Sequence, residues 1–373
     1  MHSVYLDHNA TTNIYPEVIS AMVEVMQNPA NSSSIHSFGR DARARLQSAR
    51  FEVAEFAGAP DNDYRVIFTS SGTESNNLVF SGVKNRRLVI SSVEHASVIG
   101  AAEGAEVISV DENGVVDLDL LEKILLGSSD KALVSVMLAN NETGVIQPIR
   151  KIADLTKEYG AILHVDCAQG FGKVKVDAVA MGADLITLSA HKFGGPQGAA
   201  ALIARRNVEL APQIKGGGQE QGYRAGTENV AAIFGMGVAI GLAKESMHNI
   251  SRIEELRDYL ENSVKSISSD AIIFGEKAKS RLPNTSYIAT PDISSQTQLI
   301  HFDMDRIAVS SGSACSSGKI GKSHVLSAMG IEDMLADCAI RVSLGHSNTK
   351  EDIDAFINSW RSLVERLSLK KVA

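Results

Sequence analysis

Residues 185–198 read LITLSAHKFGGPQG. The apolar run 185–188 reads as a strand, and Lys192 follows it just before a Gly-Gly-Pro turn. That puts a lysine on a loop at a strand's carboxyl end, where open α/β sheets place their ligands. A lysine there can lose part of its hydration and act as a Schiff-base nucleophile. For a single lysine a solvated surface position is the commoner case, so the neighbouring segments decide.

Segment 161–166, AILHVD, ends a second apolar run with Asp166 in the same kind of position. A buried carboxylate beside a pyridine nitrogen keeps that nitrogen protonated and makes the ring an electron sink. His164 shares the face of Asp166 by two-residue alternation and is placed to orient it. In FTSSGTESNN (68–77), Ser71 and Glu74 fit a capping box, so a helix starts at Gly72. Its N-terminus and the Thr73 hydroxyl suit a phosphate. His95, in VEHAS past the strand around 88–92, is placed to stack on a planar ring or move a proton.

Around these segments the chain alternates. Apolar runs at 88–90, 107–110, 132–138, 161–165, 185–188 and 199–203 are separated by amphipathic stretches such as 149–159. This is the pattern of a mainly parallel sheet covered on both faces. Pro16 opens a helix with Val18, Ile19, Met22, Val23 and Met26 at helical spacing. Past residue 250 helical segments dominate, from 251–267 to a final stripe of Ile353, Phe356, Ile357, Trp360, Leu363, Val364 and Leu367. The expected organisation is a large α/β domain over 15–250 and a smaller α+β domain made of 1–14 and 251–373.

Composition narrows the classes. A chain of 373 residues with 44% hydrophobic and 21% charged residues is an ordinary globular protein, not a disordered or fibrous one. Its net charge of −8 disfavours direct nucleic-acid or anionic-membrane binding. The longest apolar run, 230–243, is shorter than the roughly 18–20 residues of a membrane span and is broken by Gly235, Gly237 and Gly241. A buried helix is expected there. Cys167, Cys315 and Cys338 form no closed disulfide set and no metal-ligand spacing, which points to a reducing cytoplasm.

Cys315 lies in SSGSACSSGK (310–319), a Ser/Gly-rich segment that reads as an exposed loop and makes the thiol a candidate nucleophile. Cys338, in a helical pattern, and Cys167, at a strand end, read as core residues. In AIRVSLG, Arg341 and Ser343 share the polar face of a strand, and an arginine there can clamp a carboxylate. Ser189-Ala-His-Lys192 also matches the S-x-x-K of acyl-serine hydrolases, but the accompanying S-D-N and K-T-G are missing. Neither a P-loop nor H-E-x-x-H occurs, and GGGQEQG (216–222) does not fit G-x-G-x-x-G.

Taken in order, YLDHNATT (5–12), NSSSIHSFGR (31–40), SSGTESNN (70–77), EHASV (94–98), NNETGVIQPI (140–149), HVDCAQGFGKVKVD (164–177), LSAHKFGGPQG (188–198), GGGQEQGYRAGTENV (216–230), SSGSACSSG (310–318) and IRVSLG (340–345) span nearly the whole chain. In these segments it resembles the pyridoxal-phosphate-dependent cysteine desulfurases of the nitrogen-fixation and iron–sulfur-assembly type. The resemblance implies an aspartate-aminotransferase-like fold (fold type I), with the catalytic cysteine loop in the small domain. It implies L-cysteine as substrate, L-alanine as product and a homodimer delivering sulfur to an iron–sulfur scaffold or other acceptor protein.

The resemblance also implies residue roles. Lys192 holds the cofactor, and Asp166 pairs with its ring nitrogen. Gln169 and Asn141 lie on the phenolic-oxygen side, and His95 stacks on the ring. Gly72, Thr73, Ser189 and His191 hold the phosphate, with Thr227 lent by a second subunit. Arg341, assisted by Asn141, binds the substrate carboxylate. Cys315 accepts the sulfur, and its persulfide is a transient iron–sulfur ligand. Two positions depart from the family pattern. Ser32 stands where a proline is usual, and Gln221 where an arginine is usual. The competing readings are a selenocysteine lyase or related lyase on the same fold, and a silent homologue acting as a binding partner.

Overall fold

The computed structural model describes residues 3–29, 31–312 and 322–372, with side chains to residue 366. Chain order begins with a short strand, β1 (Val4–Tyr5). Then come β2 (Tyr64–Thr69), β3 (Arg87–Ser91), β4 (Glu106–Ile108), β5 (Ala132–Ser135), β6 (Ile162–Asp166), β7 (Leu185–Ser189) and β8 (Ala200–Arg205). These seven form one sheet in the order β2-β8-β7-β6-β5-β3-β4. Strands β3 to β7 pair in parallel, and β8 runs antiparallel to both β7 and β2. The sheet is therefore mainly parallel, and its strands are apolar because helices cover both faces.

The strand β2 has no counterpart among the apolar runs named above. Its apolar stretch is interrupted by Arg65, which is nonetheless buried because its guanidinium lies over the Tyr223 ring, 4.6 Å from the centroid. In the helix Pro16–Met26 the inward side chains are Val18 and Val25, whereas Ile19, Val23 and Met26 are exposed. The apolar stripe is thus wider than the face the helix buries.

The helix Val230–Met247 is long and apolar enough to cross a membrane, but 56% of it is buried inside the protein. It packs in the large core with Val18, Ala42, Leu46 and Ala49. Gly237 permits this approach, since a Cβ there would lie 2.9 Å from the Ala49 Cα.

The remaining strands are β9 (Ile272–Ile273), β10 (Thr285–Ala289), β11 (Ile307–Ala308) and β12 (Ala339–Ser343). Strand β10 sits between β12 and β9, and β1 pairs in parallel with β11. A separate core joins Val4 and Leu6 to Ile253, Leu260, Phe302 and Trp360. Cys338 lies in the turn before β12, not in a helix, and is buried like Cys167.

Candidate active site

The carboxyl ends of β6 and β7 open onto a cavity of about 260 Å³. Ser71, Gly72 and Thr73 from the start of the helix Gly72–Gly82 form one wall, with Ser189, His191 and Lys192 beside them. A Cβ built on Gly72 would lie 3.6 Å from the Ser189 Cβ, so the helix start and the end of β7 are in contact. First-turn amides of a helix lack intrahelical partners and point at such a space. The Ser71 hydroxyl caps the helix by accepting from the Glu74 amide at 3.1 Å. The other half of the capping box differs: the Glu74 carboxylate accepts from the Ser70 amide at 2.9 Å and pairs with Arg224 at 2.8 Å.

Asp166 is buried at the cavity floor. Its Oδ2 accepts from Asn76 Nδ2 at 2.9 Å and its Oδ1 from the Ala168 amide at 2.9 Å. His164 does not orient it. Its ring is bonded to the Ser135 and Thr187 hydroxyls of the flanking strands at 2.8 and 3.0 Å. Burial lowers the pKa of His164 to about 4, against the opposing pull of Asp166.

His95 caps the helix Ala96–Ala101, its Nδ1 accepting from the Ser97 amide at 3.1 Å. A neutral ring accepting at Nδ1 carries its proton on Nε2. Burial pushes the His95 pKa down, Asp166 pulls it up, and Lys192 and His324 lower it further. His191 is lowered to about 4 by burial, then by Lys192 and Lys173. At neutral pH it serves as a hydrogen-bonding group and not as a cation.

Lys192 Nζ donates to the carbonyls of Asn9 and Ala10 at 2.6 and 2.8 Å. Asn9 also receives Gln169 Nε2 on its carbonyl at 2.9 Å and Lys173 Nζ on its Oδ1 at 3.1 Å. Two residues earlier, Asp7 holds Arg341 Nη2 at 2.6 Å, while Arg341 Nη1 donates to the Asn141 carbonyl at 3.0 Å. Residues 7–12 therefore tie the lysine turn to β12. Sequence reasoning assigned no role to Asp7, Asn9, Asn76 or Lys173. Two of them stand in YLDHNATT, where only an unusual run of polar residues between apolar neighbours could have marked them.

Asn141, Gln169 and Arg341 line the same cavity as Lys192 and Asp166. Thr227 does not: it is exposed and borders a different hollow, formed with Ser70, Glu220 and Arg224. Cys315 lies outside the described residues. Among those described, no group of three or more His, Cys, Asp or Glu side chains is placed to hold a metal ion. Of the two departures, Ser32 is buried and its hydroxyl donates to Glu228 at 3.0 Å, beside Thr227 in sequence. Gln221 is exposed and follows Glu220, both with left-handed backbone.

A lysine facing a carboxylate at the carboxyl end of a mainly parallel sheet is the arrangement of a fold type I enzyme. The model of the class-V aminotransferases matches residues 4–356, and the chain belongs to that family, whose members work with pyridoxal phosphate. It is 41% identical to "Cysteine desulfurase IscS" of Dictyoglomus turgidum over 379 residues, covering 98% of this chain and 95% of that one. It is 37% identical to "IscS-like cysteine desulfurase" of Mycobacterium tuberculosis, covering 97% and 96%. The solved structure of a NifS-like protein from Rickettsia africae superposes with a TM-score of 0.92 at 42% identity, covering 98% of this chain and all of that one.

The residues present fit pyridoxal phosphate. Asp166 offers a buried carboxylate for a ring N–H, and the helix start with Ser189 and His191 offers donors for a phosphate. Two buried polar atoms of cavity-lining residues, Asn76 Oδ1 and Arg341 Nε, have no protein partner and would otherwise be left unsatisfied.

Proposed function

We propose that this chain is a cysteine desulfurase, a pyridoxal-phosphate-dependent sulfurtransferase. It converts L-cysteine to L-alanine and retains the sulfur on Cys315 as a persulfide, for delivery to an acceptor protein in iron–sulfur assembly. One observation carries the reading: Lys192, Asp166, His95 and Arg341 converge on one cavity, in a chain whose full-length relatives bear that name.

When bound, pyridoxal phosphate supplies an electron sink that weakens bonds at the substrate's α-carbon. Lys192 would hold it, Asp166 would accept its ring N–H, and the first turn of Gly72–Gly82 with Ser189 and His191 would hold its phosphate. Asn76 and the Ala168 amide keep Asp166 aimed at the cavity. His95 covers one wall and can give up or take a proton at Nε2. Arg341, held by Asp7 and the Asn141 carbonyl, lines the same cavity and would fix the substrate carboxylate. Asn141 and Gln169 complete the polar wall. At Cys315 a sulfur–sulfur bond replaces the substrate's carbon–sulfur bond, and the product carbon gains a proton.

The exposure of Thr227, away from the cavity of its own chain, supports a homodimer in which it is lent to the partner's phosphate site. The core that joins Val4 and Leu6 to Ile253, Phe302 and Trp360 supports a division near residue 250, with Val93 packing across it against Phe274 and Tyr287. Buried, unbridged Cys167 and Cys338 support a reducing cytoplasm.

The test is turnover. With L-cysteine and a thiol reductant the purified protein should yield alanine and sulfide in equal amounts. Turnover of selenocysteine alone would move the reading to a selenocysteine lyase. Full cofactor occupancy without turnover of either would favour a silent homologue.

A further inference from the structure

Lys192 borders two cavities. The second, about 240 Å³, is lined also by Lys173, His8, Tyr15, Arg252 and His346, and no carboxylate lines it. Lys173 Nζ donates to Gln169 Oε1 at 2.9 Å and to Asn9 Oδ1 at 3.1 Å. Lys192 Nζ and Gln169 Nε2 meet on the carbonyl oxygen of the same Asn9. Two lysines thus converge on one residue, and the amide of Gln169 is locked with its oxygen toward Lys173.

We propose that Lys173 is a positioning residue for Lys192: it fixes Asn9 and Gln169 around the anchoring lysine, and any proton it carries works against one on Lys192. The inference rests on Lys192 being the lysine that holds the cofactor. Burial first, then Lys192 and Arg341, push the Lys173 pKa well below its ordinary value. Such coupling is mutual, so a proton on either ammonium disfavours one on the other. An adjacent cation is an established way of making a lysine amine nucleophilic near neutral pH.

Other groups also face Lys192. Asp166 on β6, His95 and Arg341 face it across the first cavity, and His191 precedes it in the chain. His8, Tyr15, Arg252 and His346 line the second cavity. Asp166 is the one anion in this set and favours the charged lysine; Lys173 opposes it.

The test removes the Lys173 amine in two ways. Lys173→Met abolishes charge and hydrogen bonds together, whereas Lys173→Gln keeps an N–H donor for Asn9 and Gln169. In each variant two pH midpoints are measured: that of the loaded protein's near-visible band, and that of acetic anhydride labelling of Lys192 in the cofactor-free protein, read by peptide mass spectrometry. Both midpoints should rise in both variants. If Lys173→Met does not fold, the Gln variant carries the same expectation. Unchanged midpoints in Lys173→Gln, with borohydride still trapping the cofactor on Lys192, would overturn the inference alone. Trapping on another lysine would overturn it together with the assignment of Lys192.

Discussion

Asn76 Nδ2 lies 2.9 Å from Asp166 Oδ2, a buried amide donating to a buried carboxylate. Asn76 is on the inner side of the helix whose first turn faces the cavity, so the same helix serves two sites. Its N-terminus is placed for a phosphate, and one turn further on it holds the carboxylate. Positioning both from one rigid element fixes the distance between them.

Asp166→Asn keeps the side-chain shape but cannot hold a ring nitrogen protonated. It should fold with a melting temperature near that of the parent and lose at least about a hundredfold in turnover. Steady-state alanine release with L-cysteine measures this.

Replacing Asn76 by Ala leaves Asp166 Oδ2 without its side-chain donor. A charged hydrogen bond of this kind contributes about 1.5–3 kcal/mol, so turnover should fall by about ten- to a hundredfold. The comparison is kcat with L-cysteine, at matched cofactor occupancy.

His164 predicts a pH dependence of stability. Its folded pKa is about 4 and its ordinary value 6.5, so between these the unfolded chain binds the extra proton. The contribution is fully present above about 6.5 and is lost as pH falls toward 4. In His164→Gln the drop in melting temperature between pH 7 and pH 4.5 should be smaller than in the parent.

Glu220 is buried with a left-handed backbone and accepts from both Nη atoms of Arg50 and from the Phe68 amide, each at 2.9 Å. It anchors the segment that carries Thr227. Glu220→Ala strands Arg50 and should cost about 3 kcal/mol or more in a denaturant melt. It should also weaken self-association measured by sedimentation.

The strand ends and the helix start were legible because each is a local pattern: an apolar run closed by Asp166, another followed by Lys192, and Ser71 before Gly72. Polar partners were not. Asn9 and Lys192 are 183 positions apart, and no periodicity links them. Alternation placed His164 on the face of Asp166, but on a parallel sheet the neighbouring strands compete for such a ring. Here Ser135 and Thr187 take it. Likewise β2 was hidden by Arg65, whose burial depends on Tyr223 far along the chain.

Passage of sulfur from L-cysteine to Cys315 is read by mass spectrometry of tryptic peptides after a single exposure of the reduced protein to L-cysteine. One additional sulfur on the peptide containing Cys315, absent in Cys315→Ser, is the predicted result. Sulfur on the Cys167 or Cys338 peptide instead, or sulfide released by Cys315→Ser at the parent's rate, would contradict it.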